Sequence, residues 1–168
     1  MLLIRLIDGL NEIVGRVISW VAIIFAGLII YDVVLRYVFH APTLWAFDLT
    51  KHLYGFYFIM LGGYALRHQA HVRVDLVTGV LKPGLRRIVE LLGYPIFFFP
   101  FAGVFAYHSY IFAARAWSQG ETTYGAIQLP VYPVKIAMAI AAALLLIQGV
   151  SEFIKLAVNA PEETPNVG

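Results

Sequence analysis

Four long apolar blocks, separated by short polar stretches, divide this chain. A membrane-crossing helix needs about 20 mostly apolar residues, and each block is close to that length. The pattern predicts spans over about 17–37, 44–66, 91–114 and 131–151. The first 16 residues are different in kind. Arg5, Asp8, Glu12 and Arg16 alternate with Leu2, Leu3, Leu6, Ile7, Leu10 and Ile13 at helical spacing. That predicts an amphipathic lead-in lying at the membrane face. A cleaved signal peptide is the rival reading, but its apolar core would be shorter and a small-x-small site would follow. The first block is therefore expected to be a retained span.

Breaks between blocks have chemical causes. His40 and Pro42 end the first span, because a residue before proline avoids the α region. Val74, Val77, Val80 and Leu81 form an apolar stripe beside Arg73, Asp75 and Lys82, which predicts a short interfacial helix stopped at Lys82-Pro83-Gly84. Pro95 and Pro100 should bend the third span, which carries no charged residue from Leu91 to Ala114. The stretch 118–133 is rich in Gly, Thr, Gln and Pro and reads as a loop. The residues after Ser151 read as a polar tail.

Composition sharpens this pattern. Of 168 residues 61% are hydrophobic and 13% charged, against about 25% charged in soluble domains. The expected fold class is an all-α membrane protein, a single domain of four transmembrane helices. A net charge of +2 gives no reason to expect nucleic acid. With no cysteine there is neither a disulfide nor a thiolate metal site. No room remains for a separate catalytic module.

Charge also orients the bundle. Arg5, Arg16, Arg67, Arg73, Lys82, Arg86, Arg87 and Lys155 lie toward one side, and Arg36, Lys51, Arg115 and Lys135 toward the other. The richer side is expected to be cytoplasmic. Both termini then face the cytoplasm, and the turns 36–47 and 115–130 face outward.

Candidate chemistry gathers at the two interfaces. Asp32 and Arg36, four apart, can pair on one helix face. They read as an interfacial ion pair or as a buried contact to another subunit. Trp45 suits an aromatic anchor, and Asp48 can reach Lys51 or His52 at helical spacing. Gly55, Gly62 and Gly63 permit close packing. His68 and His71, three apart, lack a third ligand for a metal site.

The run from Arg36 through Trp45 to Asp48, RYVFHAPTLWAFD, resembles a motif of the small membrane subunit of tripartite ATP-independent periplasmic (TRAP) transporters. The stretch Gly62 to Asp75, ending HVRVD, is similar to the same family's signature, with His71, Arg73 and Asp75 as its cytoplasmic residues. Asp48 stands where the family more often carries Glu. The resemblance implies a scaffold subunit beside a large elevator-type membrane subunit, not an enzyme. It implies that a periplasmic binding protein delivers an organic acid, that sodium drives uptake, and that the large subunit holds the sodium. This chain would then need no cofactor. Asp32, Arg36, Trp45, Asp48, Lys51 and His52 become subunit-interface candidates. His40, Gln119, Glu121 and Thr122, on the outward turns, become candidates for docking the binding protein.

Two other classes compete. A four-helix redox anchor could hold haem b between His52 and His108, which lie at depths matching to within about 3 Å at about 1.5 Å per residue. A small self-contained transporter could be built on Asp32, but that residue lies too near a helix end for a midplane site.

Overall fold

A computed structural model describes residues 2–68, 83–124 and 128–158. Among these the regular structure is helical, with one isolated bridge. The helices are α1 (Leu2–Tyr37), α2 (Ala46–Met60), α3 (Gly62–Arg67), α4 (Pro83–Gly93), α5 (Phe99–Gln119) and α6 (Tyr132–Val158). A five-residue π-helical stretch, Tyr94–Phe98, joins α4 to α5. Three helical segments are long and apolar enough to cross a membrane: Ile4–Tyr37, Gly84–Gln119 and Tyr132–Val158.

The expected lead-in is not a separate element. It is continuous with the first span in one 36-residue helix, and its polar face turns into the bundle. The second span is interrupted at Leu61, just before the Gly62-Gly63 pair, so α2 and α3 stand in place of one helix. The interruption is slight, because Leu61 N donates to Tyr57 O and Ala65 N to Leu61 O. The last helix continues to Val158, past the expected end near 151. Pro95 lies within the π-helical stretch and Pro100 in the first turn of α5; a π-helical stretch is a known way for a helix to accommodate local strain. The expected interfacial helix over 74–81 lies outside the described residues.

α6 is the hub. It packs against α5 along its length, against α2 and α3 on another side, and against α1 near its C-terminal end. The buried positions of α5 are Ala102, Ser109, Ala113 and Ala116, and those of α6 include Ala137, Ala141 and Ala142. Small side chains let two backbones approach, which matters where lipid removes the usual hydrophobic drive between helices. Glycines do the same at three other contacts. A Cβ on Gly15 would strike the Tyr64 ring, one on Gly63 the Asn11 amide, and one on Gly149 the Phe98 ring. Tyr94, Phe98, Phe99 and Phe153 fill the space between the π-helical stretch and α6.

The turns after α1 and α5 both close by left-handed residues. His40 has φ 53°, and Ala41 N donates back to Leu35 O, six residues earlier. Gly120, at φ 58°, ends α5. At the other end of the bundle Arg87 donates to the carbonyls of Leu156 and Ala157 and so caps α6.

Candidate functional site

The turn between α1 and α2 is tied to α1 through Asp32. Arg36 Nη2 lies 2.7 Å from Asp32 Oδ2, one helical turn on. Asp32 Oδ1 accepts from Thr43 N at 3.3 Å and from the Thr43 hydroxyl. One carboxylate thus joins the end of α1 to the far side of the turn. Trp45 sits at the start of α2 with its ring 6.3 Å from that of Tyr31. Asp48 and Lys51 pair loosely, at 3.7 Å, and the Lys51 ammonium lies 3.9 Å from the Phe47 ring centre. His52 Nδ1 is 2.8 Å from the backbone carbonyl of Asp48 rather than from its carboxylate. The Asp48 carboxylate and His52 ring are therefore not directly linked here.

The loop between α5 and α6 is held by its own polar groups. Lys135 Nζ is 2.5 Å from Glu121 Oε2 and sits over the Phe112 ring. Thr122 bridges to Pro130, and Val131 N donates to Glu121 O. Trp117 and Tyr132 meet edge to face at 5.3 Å. Among the docking candidates Glu121 is thus engaged, while His40, Gln119 and Thr122 are exposed. His71, Arg73 and Asp75 lie outside the described residues.

Sequence reasoning missed the densest polar cluster. It lies at the opposite end and joins α1, α3 and α6. Asn11 Nδ2 donates to Gln148 Oε1 at 2.9 Å. Gln148 Nε2 donates to Asp8 Oδ1 and to Glu152 Oε1, each at 2.9 Å. Ser151 Oγ donates to Asp8 Oδ1 at 3.1 Å. Lys155 Nζ lies 2.7 Å from Asp8 Oδ2 and 2.7 Å from Glu152 Oε1. Beside this, Arg67 donates to the Asp8 carbonyl at 2.7 Å and to Glu12 Oε2 at 2.6 Å, and His68 Nε2 is 2.9 Å from the same oxygen. Asn11, Gln148 and Ser151 are buried. Burying polar groups is costly unless they are bonded, and here they are. The available signal was spacing. Asp8, Asn11 and Glu12 share one face of α1, and Gln148, Ser151, Glu152 and Lys155 share one face of α6.

What this arrangement offers is rigidity, not reaction chemistry. Among the described residues no group of three or more His, Asp or Glu side chains is arranged to hold a metal ion. The histidine pair of the redox alternative is not assembled. His108 is exposed on α5, and α2, which carries His52, packs on α1 and α6.

The family model described as tripartite ATP-independent periplasmic transporters, DctQ component, matches residues 13–159. The chain belongs to that family. DctQ is a transporter component, not an enzyme family, and its model takes in both outward turns and most of the polar cluster. The chain is also 33% identical, over 87 residues, to the sialic acid TRAP transporter permease protein SiaT of Haemophilus influenzae (strain 86-028NP). That match takes in 51% of this chain but only 14% of SiaT. A DctQ-like stretch thus occurs inside a much longer permease polypeptide.

Proposed function

We propose that this DctQ-family chain is the small subunit of a sodium-coupled TRAP transporter for an organic acid, and that it braces a large elevator-type membrane subunit. The family match over residues 13–159 carries this reading. The SiaT match supports a large partner, because there a similar stretch is part of one long permease. The clamp of α1, α3 and α6 suits a brace, which must keep its shape while its partner moves. The break at Leu61 keeps its backbone hydrogen bonds. It does not free carbonyls in the manner of the half-helices that form midplane ion sites. Substrate and sodium are accordingly assigned to the partner, and a periplasmic binding protein delivers the acid.

The bundle crosses the bacterial inner membrane four times in this proposal. α2 and α3 together run over 46–67, about 33 Å at about 1.5 Å per residue, which matches the ~30 Å hydrocarbon core. Contacts at both ends of α1 agree, with Thr43 beside Asp32 and Arg67 beside Asp8. Both termini are cytoplasmic by the distribution of Lys and Arg.

Reconstitution tests the function. Liposomes with a sodium gradient and the binding protein receive this chain, the large subunit, or both. Only the pair should accumulate the organic acid. Uptake by this chain alone refutes the brace, and full uptake by the large subunit alone makes the chain dispensable.

A further inference from the structure

α1 carries an outward seam that stays exposed along its length, with the Trp45 ring beside Tyr31 near one end. Starting at Leu6 and advancing alternately four and three residues to Val34, nine positions fall along one line of the helix. Eight are apolar or aromatic, and the ninth is Gly27. All nine are exposed, with Leu6, Ile13 and Trp20 at 63%, 66% and 67%. The four–three alternation is the 3.5-residue repeat along which one helix packs against another.

In the middle of a membrane span such a line means little, because most residues there are apolar. The first four turns are different. They hold Arg5, Asp8, Asn11, Glu12 and Arg16. Asp8, Asn11 and Glu12 bond to α3 and α6, while Leu6, Leu10 and Ile13 point away from the bundle. A helix surrounded by water shows the reverse order. This end of the bundle turns Leu6, Leu10 and Ile13 outward between the exposed Arg5 and Arg16, a mixed face that suits apolar contact along the seam.

Lipid tails are too short to supply all of that contact. From Leu6 to Val34 the seam is about 42 Å long at about 1.5 Å per residue. An average tilt of about 20° leaves about 39 Å along the membrane normal, against ~30 Å of hydrocarbon. A protein helix has no such limit. Gly27 points the same way. A Cβ there would meet nothing within 4 Å, so no neighbour in this chain requires the missing side chain. Arg5 and Arg16 stand exposed beside the seam's polar end, Arg16 pairing with Glu12 at 3.2 Å.

We propose that this seam docks a long helix of the large partner subunit, which presents an acidic group beside Arg5 and seats a bulky side chain at Gly27. The inference rests on the reading above that such a partner exists.

The test uses the complex of this chain with the large subunit. Single cysteines at Leu6, Ile13 and Trp20 are modified with a benzophenone maleimide and irradiated. Phe101 and Val104, outward on α5 at 66% and 60% exposure, serve as controls. Adducts with the large subunit should form from the seam at least fivefold more than from α5. Gly27→Leu should reduce the co-purified large subunit at least fivefold, while the isolated chain melts no lower than the wild type. Adducts only with lipid, adducts with a second copy of this chain, or stronger labelling from α5 would each overturn the seam as the docking face. If the wild-type pair co-purifies and the seam is silent, only this inference falls. If the wild-type pair fails to associate, the brace falls and takes the seam with it.

Discussion

Asn11 and Gln148 join their side-chain amides at 2.9 Å across 137 residues of sequence, and both side chains are almost fully buried. The pair fixes the height of α1 against α6. Loss of one partner strands a buried polar atom, at a cost of roughly 1–3 kcal/mol. Asn11→Ala should therefore lower the thermal midpoint of the detergent-solubilised chain clearly. An unchanged midpoint would mean that packing alone sets the register.

The glycines divide into two classes with opposite expected effects. Gly149→Ala forces a methyl into the Phe98 ring, and overpacking of this kind costs typically 1–3 kcal/mol. Phe98→Leu in the same chain should recover part of that loss. Gly27→Ala meets open space, and in the isolated chain it should raise stability by about 0.5–1 kcal/mol. A lower melting midpoint for Gly149→Ala and a higher one for Gly27→Ala would mark the distinction. Shifts of the same sign would refute it.

His40 holds a left-handed conformation that ends α1. That region costs ordinary residues roughly 1–2 kcal/mol, and β-branched residues fare worst there. His40→Gly should be neutral to mildly stabilising, since relief of strain is offset by a more flexible unfolded chain. His40→Val should lower stability by about 1–2 kcal/mol. Melting curves that rank Val above Gly would contradict the cap.

Asp32 holds both Arg36 and Thr43, whereas Asp48 holds only Lys51, at 3.7 Å. If the outward turn meets the large subunit, Asp32→Ala should reduce co-purification more than Arg36→Ala or Asp48→Ala does. Normal co-purification and uptake with all three would leave these residues as interfacial anchors.

The chain has no cysteine, which makes topology directly measurable. Cysteines at Ala41 and Ser118 should react with an impermeant thiol reagent in intact cells with a permeable outer membrane. A cysteine at Gly84 should react only after the inner membrane is opened. The opposite pattern would invert the bundle.

Much of the helical layout was legible from residue type. The apolar blocks located the three helices long and apolar enough to cross a membrane, and His40 with Pro42 placed the turn between α1 and α2 where the structure has it. The missed features share one cause. Asp8 to Glu12 and Gln148 to Lys155 look like ends because they are polar, yet their polar groups point into the bundle. Hydropathy counts residue types and carries no information about which way each turns. Paired spacing on two distant helices held that information, and only their contact reveals it. The break at Leu61 has a similar origin, since Gly62 and Gly63 leave apolarity intact while loosening the helix.

The clamp also imposes an order on biosynthesis. Asp8 and Asn11 are made before their α6 partners, with Gln148 following Asn11 by 137 residues. At about 5–20 residues per second, α1 waits roughly 7–27 s with those two side chains unmatched by α6. A chain that stops before Gln148 keeps the contacts of Arg67 and His68 with α1 but leaves Asn11 and the Asp8 carboxylate without their α6 partners, and such a fragment should be a ready substrate for membrane proteases. Completion of the last helix thus acts as a proofreading step for the whole subunit.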